Sequence, residues 1–438
     1  MTPTTGLLDE LKWRGLLHDA TPGMGARLAK GPITGYVGFD PTAPSLQVGN
    51  LVPVMLLAHL QRGGGKPIVL MGGGTGMIGD PSGKRAERPL MDIAKIDEHV
   101  EQQRHQFEKF FAFGRGSTDA AMLDNAAWLR PLNLVAFLRD IGKHFTLSYM
   151  LQKESVKARM EEGISYTEFS YMLLQSYDFL HLFRTQRCEL QMGGSDQWGN
   201  ITAGAELIRR VEGGEAHGIC APLITTSSGA KFGKSEGEAV WLDPAMTSPY
   251  AFYNFWVNAD DRDVAKYLAM FTFKPKADID ALMAEHQKDG GARIPHHALA
   301  LDVTTRVHGA ETADQAQRDA RARFGGTGGN SNSADATPKE QFAAILRNHE
   351  VVQVQWDREA PPKFEDLFLA TNLVSSKGDA KRLIAGGGLR VKFWNGEVKY
   401  GEVVPRDAVL IVDGRPYMVL QRGKKQDAIV ELLGLSIK

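Results

Sequence analysis

The chain has 438 residues, with 51 Lys and Arg against 52 Asp and Glu for a formal net charge of −1, so no chain-wide basic field points to nucleic acid. At 43% hydrophobic and 24% charged it has an ordinary globular composition, long enough for two or three domains with their own cores. Its two cysteines, Cys188 and Cys220, lie far apart with no CxxC pair, which excludes a disulfide framework and a cysteine zinc site.

Nothing in the sequence reads as a membrane span, and the opening MTPTTGLLDELKWRG has no signal-peptide core; a cytoplasmic enzyme is the expectation. An amphipathic helix is predicted over 7–17, then a strand over 33–39 running into the turn Asp40-Pro41-Thr42-Ala43-Pro44. Helical periodicity from 49 to 62 is stopped by Gly63-Gly64-Gly65. A second buried strand, 67–71, leads into Gly72-Gly73-Gly74-Thr75-Gly76 and the loop Gly79-Asp80-Pro81-Ser82-Gly83-Lys84. Strand, glycine loop, helix, strand, glycine loop is the pattern of a parallel sheet with crossover helices. Such sheets bind ligands beyond the carboxyl ends of their strands, so both loops belong to one edge.

Helices are predicted at 92–111, 132–141 and 201–211, and strands at 188–192 and 219–224. Between them Ser165, with Glu168 three residues on, marks the start of a long apolar helix. Tyr171, Gln175 and Asp178 interrupt it at i, i+4 and i+7 and share one face. Left unpaired, each would cost roughly 1–3 kcal/mol. Their partners are either neighbouring backbone and water or a small ligand with donors and acceptors of its own. Small residues and glycines from Thr225 to Ser235 suit a lid. From 249 to 324 the pattern is helical, and Gly325 to Ser333 has linker composition. Beyond, a helix (377–385), Gly386-Gly387-Gly388 and an Asn395-Gly396 hairpin turn predict a small α+β unit.

Read together, Tyr36-x-Gly38-Phe39-Asp40-Pro41-Thr42, Gly79 to Lys84, the Tyr171/Gln175/Asp178 helix, Gly193-Gly194-Ser195-Asp196-Gln197-Trp198-Gly199-Asn200 and Lys231-Phe232-Gly233-Lys234-Ser235 resemble the bacterial tyrosyl-tRNA synthetases. These are class I aminoacyl-tRNA synthetases, and the resemblance covers nearly the whole chain. It implies a Rossmann-like α/β catalytic domain at 1–246, a helical anticodon-side domain at 247–324, a flexible linker at 325–338 and a C-terminal α+β RNA-binding domain at 339–438 with its core near 364–430.

The resemblance further implies that Tyr36 and Asp178 hold the phenol of L-tyrosine, while Asp80, Tyr171 and Gln175 hold its ammonium group. Gln197 would lie near the carboxylate, Asp196 on the ribose of ATP, and Asp40 and Gly49 beside the nucleotide. Thr42, Lys84, Arg88, Lys231 and Lys234 would contact the phosphates. A polar face seven residues long spans about 10 Å, a fitting length for tyrosine. The family's His-x-Gly-His signature is here Gln47-Val48-Gly49-Asn50, so the amides of Gln47 and Asn50 are expected to donate where imidazoles usually do. Mg2+ is expected to arrive with ATP, with no dedicated metal-ligand cluster in the sequence.

From Lys377 to Lys425 eleven Lys and Arg stand against five Asp and Glu, a local net of +6. That excess is the footprint of a phosphate backbone, and Lys377, Lys381, Arg382 and Arg390 are the candidate contacts to tRNA(Tyr). The resemblance also implies a homodimer. Two other readings stay open at this stage, a tryptophanyl-tRNA synthetase and a non-catalytic RNA-binding paralogue.

Overall fold

The computed structural model describes residues 6–82, 90–153, 156–157, 160, 163–229, 232–235, 238–324, 338–357, 359–394, 396, 403–423 and 426–435. The chain divides into two compact units, one of 1–288 with 294–310, the other of 289–293 with 311–438.

A six-stranded sheet in the order β1-β6-β5-β2-β3-β4 organises the first unit. Its strands are β1 (Asp19–Ala20), β2 (Thr34–Phe39), β3 (Lys66–Met71), β4 (Ala121–Asp124), β5 (Cys188–Gly194) and β6 (His217–Ala221). Only β1 runs antiparallel. Parallel strands need crossovers that cover both faces, and the sequence obliges. Helix α1 (Leu51–Arg62) buries Leu51, Val52 and every residue from Val54 to Leu60. Tyr36, Ile68 and Leu70 pack with Phe179, Leu180 and Leu182 of helix α3 (Tyr166–Gln186) and Leu207 and Ile208 of helix α4 (Trp198–Glu212). Helix α2 (Ile93–Phe107) adds Ile96, Val100 and Phe107. The carboxyl ends of β2 to β6 share one edge, as the glycine loops require.

Several boundaries shift for local reasons. The first helix covers Leu7–Trp13 and ends before Gly15, which takes φ +73°. Arg14, just past it, donates to the carbonyls of Ala269 (2.9 Å), Thr272 (2.9 Å) and Lys274 (3.1 Å), capping helix Val264–Phe271. The strand expected at 219–224 is β6, which stops before Pro222. The helix expected at 92–111 ends at Phe107, and that at 201–211 already begins at Trp198. The short strands β1 and β4 were not foreseen.

Helices Pro249–Val257, Val264–Phe271, Lys276–Lys288 and Ile294–His308 form the helical region, with Phe252, Tyr253, Trp256, Tyr267 and Phe271 buried. The described parts of the stretch 225–235, namely 225–229 and 232–235, are tied to it. Ser227 N donates to Asp263 Oδ2 (2.8 Å), and Phe232 stacks on Phe271 (5.4 Å between centroids) within reach of Phe255, Trp256 and Tyr267. The segment with lid composition therefore has one firm aromatic anchor.

In the second unit, β9 (Val351–Gln355), β10 (Leu389–Val391), β11 (Leu410–Val412), β12 (Arg415–Arg422) and β13 (Gln426–Leu433) make a sheet in the order β10-β12-β13-β9, with β11 beside β12. The helix Lys377–Ala385 has the predicted bounds, capped by Ser376 Oγ accepting from Asp379 N (3.1 Å). Helix Pro338–Asn348 and β9 precede the expected core and belong to the unit. Phe342 and Ile345 bury against Tyr417, Val419 and Ile429, and β9 pairs in parallel with β13. The linker's Gly325 to Ser333 and Asn395 of the hairpin turn lie outside the described residues. Among those residues no helix is long and apolar enough to cross a membrane.

Candidate active site

β2 carries Tyr36 inward and stops at Phe39, so that Asp40 follows at the carboxyl edge of the sheet. Thr75 Oγ1 donates to Asp40 Oδ1 (2.8 Å) and the Tyr171 hydroxyl donates to Oδ2 (2.9 Å). Thr75 can approach because residue 72 is glycine. A Cβ there would run into Asp40 Oδ1 and stand 2.8 Å from Thr75 Oγ1. Asp40 is thus fixed between the loop after β3 and helix α3.

At one end of the α3 polar face, Asp178 is 2% exposed. Its Oδ1 accepts from Trp128 Nε1 (2.7 Å) and its Oδ2 from Asn125 Nδ2 (2.9 Å). Asn125 follows β4, and its Oδ1 accepts from Gly74 N (2.7 Å), which fixes the amide's orientation. Burial pushes the Asp178 carboxyl up to about 8, against the lowering by Asn125 and Trp128. The Tyr36 hydroxyl is buried with no hydrogen-bond partner among the described residues. Burial and the charge of Asp178 hold its pKa well above the usual phenol value. A buried phenol with an unused bond beside a buried carboxylate is an arrangement that a ligand hydroxyl, both donor and acceptor, would complete.

At the other end lies a chain of amides. Asp80 accepts from Ser82 N (2.9 Å) and from Gln197 Nε2 (2.6 Å). Gln197 Oε1 accepts from Gln175 Nε2 (3.3 Å) and Asn200 Nδ2 (3.3 Å), and Gln175 Oε1 from Asn200 Nδ2 (3.0 Å). Asp80, Gln175 and Gln197 therefore stand together, joined to Tyr171 through the shared helix. The Asp196 carboxyl is raised by burial and by the charge of Asp80.

Beside this edge, Gln47 pairs with Trp241 across a single antiparallel bridge, and Val48 N donates to Val240 O (3.0 Å). Asn50 Oδ1 accepts from Gln47 N (2.9 Å), which turns the amide's NH2 end away from that backbone. Gly233, at φ +89°, packs so closely that a Cβ would lie 3.1 Å from Val48 Cγ2 and 3.6 Å from Gly49 N. The Gln47–Asn50 turn and the Phe232–Ser235 stretch are therefore neighbours. Lys234 is exposed in the short strand β7 (Lys234–Ser235), paired with β8 (Glu238–Ala239). Thr42 and Gly49 are exposed as well. Lys84, Arg88 and Lys231 lie outside the described residues.

In the second unit the candidate RNA contacts Lys377, Lys381, Arg382 and Arg390 are all exposed. Partners within the unit include Asp366 for Lys377 Nζ (2.6 Å), Asp379 for Arg382 (2.7 Å) and Gln421 Oε1 for Arg390 Nε (2.7 Å).

The family described as tRNA synthetases class I (W and Y) matches residues 28–325. A tyrosine–tRNA ligase of Anaeromyxobacter dehalogenans is 52% identical over 427 residues, covering 97% of this chain and 99% of that one. One from Roseiflexus castenholzii is 44% identical over 98% of this chain and 100% of its own. The chain belongs to the class I tyrosine–tRNA ligases. Among solved structures, a C-terminally truncated mitochondrial tyrosyl-tRNA synthetase of Coccidioides posadasii superposes with a TM-score of 0.63 at 33% identity, covering 72% of this chain and 91% of that one. A tyrosyl-tRNA synthetase of Archaeoglobus fulgidus complexed with L-tyrosine, at 18% identity and a TM-score of 0.52 over 70% of this chain and 99% of its own, shares the fold.

Thr75, Asn125, Trp128 and Asn200 were missed from sequence. Asn200 was in reach, inside the quoted glycine-rich motif. Asn125 and Trp128 follow a four-residue strand whose apolar run, Ala120 to Leu123, is too short to be told from a loop or helix segment.

Proposed function

We infer that this chain activates L-tyrosine with ATP to tyrosyl-adenylate and pyrophosphate, then transfers tyrosine to the 3'-terminal ribose of tRNA(Tyr), in the cytoplasm. The Tyr36 hydroxyl, without a hydrogen-bond partner among the described residues and beside buried Asp178, carries the reading. Tyrosine's phenol would donate to Asp178 and accept from Tyr36, whereas an indole brings a donor and no acceptor. Asp80, Tyr171 and Gln175 would hold the ammonium group, with Gln197 near the carboxylate, Asp196 on the ribose of ATP, and Asp40 and Gly49 beside the nucleotide. The carboxylate attacks the α-phosphorus as the bond to the β-phosphate oxygen breaks. The nucleophile is already ionised, so the protein's task is positioning and stabilising charge on the leaving pyrophosphate. Thr42, the Gln47 and Asn50 amides, Lys84, Arg88, Lys231 and Lys234 are the groups suited to that. They are donors and cations rather than carboxylates, which fits Mg2+ carried in by ATP.

Tyrosine-dependent ATP–pyrophosphate exchange tests the assignment, and no exchange above a no-tyrosine control would overturn it. Gly72→Ala should lower its kcat/KM about 100-fold, because the new methyl displaces Asp40 by roughly 1 Å. An unchanged rate would mean Asp40 takes no part.

Domain roles follow the same division: catalysis in 1–246, an anticodon-side helical domain at 247–324 and RNA binding in 339–438. Ending the chain after Phe324 should leave exchange near normal while tRNA charging falls severely; equal loss of both would refute the division. A homodimer is supported by Leu134, Val135, Leu138, Leu147, Leu151, Met160 and Tyr166, exposed apolar side chains within one stretch, with Val135 74% and Tyr166 73% exposed. Val135→Asp should shift the sedimenting species toward monomer, and an unchanged mass would place the interface elsewhere.

A further inference from the structure

No cluster of metal ligands is legible in the sequence, yet the helical region assembles one from three separate segments. Asp261 lies in the turn before helix Val264–Phe271, His286 in the last turn of Lys276–Lys288, and His296 in the first turn of Ile294–His308. His296 Nε2 stands 3.1 Å from Asp261 Oδ1, and His286 Nε2 stands 3.8 Å from the same oxygen. The two imidazole rings are 5.3 Å apart between centroids, and one ligand atom from each of the three residues lies within 4.8 Å of the others.

We propose that Asp261, His286 and His296 bind a divalent zinc-class metal ion, with solvent as fourth ligand, and that the ion ties three helical segments together. Two imidazoles and one carboxylate suit zinc, cobalt or nickel and disfavour magnesium and calcium, which want oxygen throughout. With zinc–ligand bonds of 2.0–2.2 Å, a tetrahedral site sets its ligand atoms about 3.3 Å apart. The separations of 3.1 and 3.8 Å bracket that value, so side-chain rotation suffices. A simple ion pair would need only one imidazole, whereas here nitrogens from two helices converge on one carboxylate oxygen. The His296 side chain is fully buried and that of His286 is 10% exposed, while Asp261 is 57% exposed. The site is thus walled by protein on the imidazole side and open to a water ligand on the other. It shares no residue with the tyrosine pocket, so the ion's role is structural.

The test uses untagged full-length protein, stripped with EDTA, dialysed and titrated with ZnCl2 by calorimetry, with Co2+ as a spectroscopic probe. Binding of one equivalent is expected, with a visible Co2+ spectrum of tetrahedral intensity. His286→Gln and Asp261→Asn should each weaken zinc about 100-fold. Both sit at or near the surface, and an unfolding transition without metal that matches the parent's verifies their folding. Saturating zinc should raise the parent's Tm by about 5 °C and leave the variants' unchanged. Absence of saturable one-to-one binding would overturn the proposal, as would equal zinc affinity in parent and both variants.

Discussion

Replacing Asp178 by alanine is expected to lower kcat/KM for tyrosine in ATP–pyrophosphate exchange by about 10²–10⁴-fold and to abolish most discrimination against phenylalanine. The carboxylate answers two buried donors, Asn125 Nδ2 and Trp128 Nε1. Removing it leaves both unpaired at roughly 1–3 kcal/mol each, besides the lost bond to the substrate phenol. Tyr36→Phe removes one hydroxyl and leaves no orphan behind, so its cost should be nearer tenfold. Discrimination of about 10⁴–10⁵ against a missing hydroxyl is the general figure for sites that pair a phenol, and tyrosine enzymes are its type example. If Asp178→Ala slowed tyrosine and phenylalanine equally, the phenol contact would be excluded.

The same residue makes a pH-dependent stability prediction. Its carboxyl is raised to about 8 in the fold, against about 3.9 in an unfolded chain. Between those values the folded state keeps a proton that the unfolded state has released, so this group's contribution to stability falls as pH rises through the window. Asparagine does not titrate. The Tm difference between Asp178→Asn and the parent, without tyrosine, should therefore move in the variant's favour from pH 5 to pH 8 and then level off. A flat difference would mean the carboxylate is ionised throughout.

Phe232→Ala should cost about 3–5 kcal/mol of stability and lower the exchange rate together. Phe232 is buried among Phe255, Trp256, Tyr267 and Phe271, and it is the anchor that brings Gly233 against Val48 and Gly49. Without the ring the cage keeps a cavity, and the stretch carrying Lys234 loses its fixed approach to the Gln47–Asn50 turn. Phe232→Leu should recover part of both losses. Urea unfolding and exchange kinetics on the same samples are the measurements. A destabilised variant with full activity once folded would separate the anchor from the chemistry.

Much of the first unit was legible because its chemistry sits where period and punctuation are strongest. β3 is an apolar run closed by glycines, β5 ends in Gly193-Gly194, β2 runs into the Asp40-Pro41 turn, and α3 announces its start through Ser165, whose hydroxyl accepts from Glu168 N (3.2 Å). The polar face of α3 stood out against a buried helix. What escaped was held by tertiary contact alone. β4 reads as a strand only beside β3, and Trp128 reaches Asp178 through a short helix whose pattern is unremarkable. In the second unit, Val351-Val352-Gln353-Val354-Gln355 alternates as an edge strand should, but its partner lies far along the chain, where no local pattern points back to it.

That distance has a consequence for synthesis. Gln353 on β9 bonds Glu431 on β13 at a separation of 78 residues, and β13 lies inside the sheet between β12 and β9. At 5–20 residues per second, β9 leaves the ribosome roughly 4–16 s before its mate exists. The catalytic portion can close while translation continues, but this smaller sheet must wait for its interior strand. A ribosome stalled between β12 and β13 would thus hold a finished active site followed by an apolar ribbon open to chaperones.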